Sequence, residues 1–406
     1  MRLGIDALLD EPARYLGRAR RVALLANQAS LTADGRPTLE ALRVHRELEL
    51  RALFTLEHGW SGFEDDATPV PDSRHPAAGL LQHSLYGPRR RPDPEALRAV
   101  DAVVVDVQEV GVRCYTYATS VALLLEAAAE TGTLVVVCDR PNLLGPRVDG
   151  PPLEPERRSF LGYLDVPFQH GATLGELARW YVATALDGRV ELHVAPLRGW
   201  ARGDRPPRPW VPPSPGLPTL ASVQSYPGLV LLEGCNLSEG RGTTLPFQLL
   251  GAPWCDGYEL ARELNALEEP GLRFRPLDFR PASDTHRGAL CHGVQLLISD
   301  PGALRPLAAL TRVLAHVRER YDEFAWVDAA RLPWAGAPGA GEPWFEPVNG
   351  PLVDGLVGSD DVRQVVDGTI SLDTAIARWV DAADAYRATM AAHALYGPLG
   401  PAPTRP

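Results

Sequence analysis

"DAVVVDVQEVGVRCYTYATSVALLLEAAAETGTLVVVCDRPN", residues 101–142, decides the fold. Two unbroken apolar runs, Ala102 to Val105 and Leu134 to Val137, flank the alanine- and leucine-rich stretch TYATSVALLLEAAAETG. Runs of this kind suit strands buried on both faces, and a helix between two of them makes a βαβ unit of a parallel sheet. The same alternation extends upstream through RVALLAN (21–27), TLEALRVHREL and LRALFTLEHG. The pattern predicts an α/β fold: a Rossmann-like parallel-sheet N-terminal domain over residues 1–150, then a second, smaller α/β C-terminal domain over 151–406. Downstream it predicts a strand at GLVLLEG (228–234), a helix from Tyr258 to Leu267 and a strand around HGVQLLISD. A helix over ALRPLAALTRVLAHVRERY and another from Leu372 to about Leu395 follow. The proline-rich GDRPPRPWVPPSPGLP (203–218) reads as an ordered irregular connector.

Composition narrows the function classes. With 406 residues, 45% hydrophobic and 22% charged, the chain is an ordinary globular protein long enough for two domains. Its net charge of -11 opposes a general nucleic-acid binder, which needs basic surface to neutralise phosphates. The run Arg89, Arg90, Arg91 is short and lies between prolines, as in a solvated loop. Five scattered cysteines form no C-x-x-C pair and read as reduced, buried thiols. Neither H-E-x-x-H nor a G-x-G-x-x-G after a strand is present, so no metal and no other cofactor is expected. The start lacks the apolar core of a signal peptide and no later run approaches a membrane span, so a cytoplasmic location is expected for the chain as given.

In a parallel sheet, ligands bind beyond the carboxyl ends of the strands, so polar residues directly after the apolar runs become candidates. These are Asn27 with Gln28, Glu57 with His58, Asp106 with Gln108 and Glu109, and Asp139, Arg140 and Asn142. Glu57, in LEHG, could act as a general acid, because desolvation at a strand end raises a carboxyl pKa toward neutrality. It could equally form, with His58, a pair that only caps a loop. DVQEVGVRCYTY adds Arg113, Tyr115 and Tyr117, a mix of hydrogen-bonding and aromatic groups suited to a sugar. The structural alternative pairs Arg113 with Asp106 and puts the tyrosines in the core. His170 precedes a helix whose N-cap is Thr173, with Glu176 completing a capping box, and the histidine could face the cleft.

EGCNLSEGRGTTLPF (233–247) gathers Glu233, Asn236, Ser238, Glu239 and Arg241 around three glycines. Ser238 is not in G-x-S-x-G, and no lysine follows Gly240 or Gly242 as in a phosphate loop, so neither a nucleophile elbow nor a phosphate cradle is indicated. Arg241 could grip a substrate carboxylate or lock Glu233 or Glu239 in place.

Taken in order, LLANQ, LEHG, SLYG, DVQEVGVRCYTY, DRPN, DGPPLE, HGATLGELA, PSPGLP, EGCNLSEGRGTTLPF, GAPW and GVQLLISD resemble the bacterial exo-β-N-acetylmuramidase (NamZ-type) glycoside hydrolases, formerly a family of unknown function. The resemblance covers nearly the whole chain and is weakest over about 325–370. It implies a cleft between two domains, release of N-acetylmuramic acid (MurNAc) from the non-reducing ends of peptidoglycan fragments, and Glu57 as catalytic acid. Relatives are often exported. This chain departs from the family pattern at Glu109, Gly216 and Cys235, where Asp, Asn and Thr are usual.

A glycosidase also needs a second group. Glu239, Asp106 or the sugar's own acetamido group could supply it, and Arg113, Arg140 or Arg241 could receive the lactyl carboxylate that distinguishes muramic acid. Two other functions fit the residues: a serine esterase or amidase using Ser238, and a muropeptide-binding protein without catalysis.

Overall fold

A computed structural model describes residues 1–204, 209–329 and 350–400. The first part of the chain runs α1 (Gly4–Asp10), α2 (Pro12–Leu16), β1 (Arg21–Ala26), α3 (Thr38–Arg43), β2 (Glu49–Thr55), β3 (Ser73–Arg74), β4 (Leu81–Ser84) and α4 (Pro94–Arg98). It continues through β5 (Ala102–Asp106), α5 (Tyr117–Thr131), β6 (Leu134–Cys138), α6 (Leu174–Thr184) and β7 (Leu192–Ala195). The strands form one sheet in the order β3-β4-β2-β1-β5-β6-β7, parallel except for β3.

Period-two alternation explains why the central strands are apolar throughout. Ala23, Leu25, Val103, Val105, Val135 and Val137 point to one face, where Val121, Leu124 and Leu125 of α5 and Leu177 of α6 cover them. Val22, Leu24, Val104 and Val136 point to the other, against Ile5 and Leu8 of α1, Leu16 of α2 and Leu39 and Leu42 of α3. Helix α5 stops at Gly132, whose left-handed backbone (φ 71°) caps it without a Cβ penalty. Helix α6 starts at the capping box expected from sequence, Thr173 with Glu176.

The second part comprises α7 (Leu220–Leu229), β8 (Leu249–Ala252), α8 (Gly257–Ala266), β9 (Leu272–Phe279), β10 (Cys291–Ile298), α9 (Pro306–Arg320), α10 (Leu352–Val357), α11 (Asp361–Val366) and α12 (Leu372–Met390). Its three strands make a small antiparallel sheet, β8-β10-β9. Residues 151–204 add α6 and β7 to the first sheet, so that layer extends beyond residue 150.

Residues 228–234, expected as a strand, instead finish α7 and form a 3-10 turn over Val230–Gly234. A short apolar run buried all round carries no periodicity to separate strand from helix, and here packing against α10 and α7 settles it. This turn carries Glu233, and a Cβ on the adjacent Gly234 would lie 2.6 Å from the Val353 Cβ of α10. Only glycine lets α10 seat there. Gly234→Ala is therefore expected to lower stability by about 1–3 kcal/mol through overpacking. A urea midpoint equal to wild type would show that α10 yields without cost.

Candidate active site

Strand β2 ends one residue short of Leu56 and delivers Glu57 just beyond the edge of the sheet. The next two residues, His58 and Gly59, take φ of 69° and 70°, turning the chain sharply away. For glycine this is free; for histidine it costs about 1–2 kcal/mol. The loop then returns, and the Ala67 N–H donates to Glu57 Oε1 at 3.2 Å. Tyr86, just past β4, donates its hydroxyl to the same oxygen at 2.7 Å, and Thr116, the residue before α5, donates to Oε2 at 2.6 Å. Three donors from three segments thus hold the Glu57 carboxylate as an acceptor. His58 Nδ1 lies 2.8 Å from the Glu64 carbonyl, which can only accept, so this nitrogen carries the hydrogen.

The facing wall comes from the second part of the chain. Arg241 Nη1 donates to Glu233 Oε1 at 2.8 Å and to Glu239 Oε1 at 3.2 Å, while its Nε lies 3.0 Å from Asp66 Oδ2 on the loop after β2. The guanidinium stacks 4.6 Å above the Phe247 ring. Nη2 has no protein partner among the described residues. Burial pushes the Glu233 carboxyl up to about 7; Arg241 opposes the rise, and Asp66 and Glu239 add to it. Burial raises Glu239 as well, and the three carboxylates hold Arg241 firmly charged. One cleft is lined by Glu57, His58, Asp66, Tyr86, Tyr115, Thr116, Glu233 and Arg241, with Tyr226, Phe247, Leu352 and Leu356 as its apolar wall.

The other sequence candidates lie elsewhere. Asp106, fully buried, is clamped by Arg140 through Nε at 2.6 Å and Nη2 at 2.8 Å, and it also accepts from Thr38. Asp139 anchors the start of α6, accepting from Thr173, the Gly175 N–H and Tyr396, with burial pushing it up to about 6. Asn142 bonds the Ala172 carbonyl and the Leu144 N–H, and Gln108 bonds the Glu109 and Pro141 carbonyls. Gln108 and Arg140 border a separate crevice with Trp200 and Trp210.

Arg113 does not meet Asp106. It donates to the carbonyls of Pro151, Val166 and Val357, and burial brings it down to about 10. His170 is buried 3.5 Å from Glu109. Asn27 reaches the Gln108 and Pro213 carbonyls, and Tyr117 also holds Pro213, so both steady the segment that passes the cleft.

In the glycine-hinged loop, Asn236 pairs with the backbone of Glu323 and Ala325. Ser238 Oγ accepts from the Gly240 N–H, and no histidine among the described residues hydrogen-bonds it, so the geometry does not favour a serine hydrolase. Glu239, 2% exposed, lies behind Arg241 and is absent from the cleft lining, whereas Glu233 is on it.

Sequence reasoning gave no role to Asp66, Tyr86 or Thr116. The last two sit inside SLYG and DVQEVGVRCYTY, stretches already marked by the family resemblance; Asp66 lies in an acidic loop that resembles any solvated turn.

Both halves of the chain match known proteins. Residues 22–221 match the family model described as exo-β-N-acetylmuramidase NamZ, N-terminal, and residues 224–396 match its C-terminal counterpart. The chain is similar to the peptidoglycan β-N-acetylmuramidase NamZ of Bacillus subtilis (strain 168), 38% identical over 79% of this chain and 78% of that one. Two crystal structures of DUF1343-family proteins from Bacteroides fragilis NCTC 9343 are also similar. One has 27% identity and a TM-score of 0.82, covering 98% of this chain and 99% of its own; the other has 28% identity and a TM-score of 0.71, covering 97% and 98%.

Because Arg140 neutralises a sealed Asp106, Arg140→Ala is expected to destabilise the fold by about 3–5 kcal/mol, the cost of stranding a buried charge. Chemical denaturation measures it. A wild-type midpoint would mean that Asp106 finds compensation from another donor.

Proposed function

The chain belongs to the NamZ exo-β-N-acetylmuramidase family, and from that premise we propose that its cleft hydrolyses the bond joining a non-reducing terminal MurNAc to the rest of a peptidoglycan fragment. It is a glycoside hydrolase. The observation that carries the assignment is the Glu57 carboxylate, fixed by Tyr86, Thr116 and the Ala67 N–H and facing Glu233 and Arg241 across one cleft. Glu57 comes from the stretch matched by the N-terminal family model, and Glu233 and Arg241 from the stretch matched by the C-terminal one. Neither half alone contains both carboxyl groups that glycoside cleavage uses.

Recognition of muramic acid needs a partner for its lactyl carboxylate. Among the cleft-lining residues Arg241 is the only arginine or lysine, and Nη2 is its unused donor. Arg113 and Arg140, the other two candidates, do not line this cleft and are committed to backbone carbonyls and to Asp106. Tyr115 and Tyr226, set edge to face at 6.1 Å, offer aromatic surface for the pyranose. The substrates proposed are MurNAc-containing saccharides released from the wall. No helix among the described residues is long and apolar enough to cross a membrane.

Incubation with MurNAc-β-1,4-GlcNAc is expected to release free MurNAc, and Glu57→Gln to slow release by about 10²–10⁴-fold, the usual share of a catalytic carboxyl. Saccharide binding without any release by the wild type would instead make the protein a muropeptide receptor. Undiminished release by the variant would take Glu57 out of the chemistry.

A further inference from the structure

The two carboxyl groups on the cleft wall are held in opposite ways. Both Glu57 oxygens are occupied as acceptors, Oε1 by Tyr86 and Ala67 and Oε2 by Thr116. Glu233 uses only Oε1, toward Arg241, and its Oε2 has no protein partner among the described residues. Donors on both oxygens fix Glu57 as an acceptor, whereas the unpartnered Glu233 oxygen is free to carry a proton toward the cleft. The groups facing Glu233 reinforce this difference: Asp66 and Glu239 are acidic, Cys114 and Tyr226 are un-ionised neighbours, and Arg241 is the single cation, shared among three carboxylates.

We infer that Glu233 is the proton donor to the glycosidic oxygen and that Glu57 is the carboxylate that deprotonates the attacking water. The inference rests on the muramidase reading and reverses the role that the family resemblance implies for Glu57. In the step, the Glu233 Oε2 proton passes to the bridging oxygen, and the C1–O bond breaks with its electron pair going to that oxygen. The remaining saccharide departs with a free hydroxyl. A water oxygen bonds to C1 as its proton moves to Glu57, and proton exchange with solvent restores both groups, so one water is consumed per bond cleaved.

Two substrates separate the roles. On MurNAc-β-1,4-GlcNAc, Glu233→Gln is expected to lower kcat by about 10²–10⁴-fold; on 4-nitrophenyl β-MurNAc, whose leaving group needs no proton, it is expected to stay within about tenfold of wild type. Glu57→Gln should lose both activities. Wild-type kcat/KM should fall as pH rises through about 7, because the donor must be protonated, and this descending limb should vanish for Glu233→Gln on the aryl substrate.

Wild-type disaccharide rates in Glu233→Gln, or aryl activity spared in Glu57→Gln and not in Glu233→Gln, would overturn the inference. Should Glu233→Gln not fold by circular dichroism, the wild-type profile decides: a descending limb centred near 7 supports the role, and a profile flat to about pH 9 refutes it. The failures are distinguishable. A wild type that releases no MurNAc defeats the muramidase reading itself, whereas wild-type release together with an unimpaired Glu233→Gln defeats only the present assignment.

Discussion

One guanidinium, Arg241, is shared among Asp66, Glu233 and Glu239, and the site depends on that imbalance. Desolvation penalises every uncompensated charge, so a single buried cation cannot hold three neighbouring carboxylates equally ionised. The excess is relieved by keeping a proton, and Glu233, on the cleft wall with its Oε2 unpartnered among the described residues and its carboxyl pushed up by burial, is the member assigned that proton. Asp66 comes from the loop after β2 and the other two from the 233–241 segment, so the same cluster ties the sheet's edge to the second part of the chain. Phe247 beneath the guanidinium, itself in a left-handed backbone conformation (φ 55°), fixes the height at which the arginine sits.

The parallel sheet serves a different purpose from the one its topology suggests. In an open α/β sheet the expected ligand crevice lies where strand order reverses, here between β1 and β5. The strand-end polar residues there are tied to the protein's own groups, beside the separate crevice that Gln108 and Arg140 border. Arg140 grips Asp106, and Asn27, Gln28 and Tyr117 hold the carbonyls of Pro212 and Pro213 over the strand ends. Polar residues at these ends have become fasteners. The cleft with the catalytic candidates is displaced toward β2 and β4, where Glu57 and Tyr86 emerge and where the segment after Pro213 contributes Ser214 and Gly216 to the wall.

This displacement explains what the sequence revealed and what it concealed. Strands β1, β5 and β6 and helix α5 were legible because apolar runs buried on both faces leave an unmistakable signature. Glu57 was legible because a charged residue directly after such a run stands out. Asp106, Asp139 and Arg140 obey the same rule and stand out equally, yet partners far along the chain, the Thr38 and Tyr396 side chains and the Leu31 carbonyl among them, absorb their hydrogen bonds. No local pattern reports such distant pairings. Thr116 and Tyr86 acquire meaning only once their hydroxyls meet one carboxylate. The turn carrying Glu233 was hidden for another reason, since an apolar run without periodicity fits a strand as well as a buried helical turn.

The proposed substrate enters this electrostatic balance as a participant. A lactyl carboxylate on Arg241 Nη2 places a fourth anion beside the cation that opposes the rise in the Glu233 pKa, and thereby strengthens Glu233's hold on its proton. Since kcat reports the enzyme–substrate complex and kcat/KM the free enzyme, the descending limb of kcat should lie at higher pH than that of kcat/KM. The comparison needs only the wild type and the MurNAc disaccharide. The matching control is a substrate lacking the lactyl acid, on which both limbs should coincide. Coincident limbs on the muramyl substrate as well would mean that its carboxylate is bound away from Arg241, and that the arginine serves only to hold the three carboxylates of its own wall.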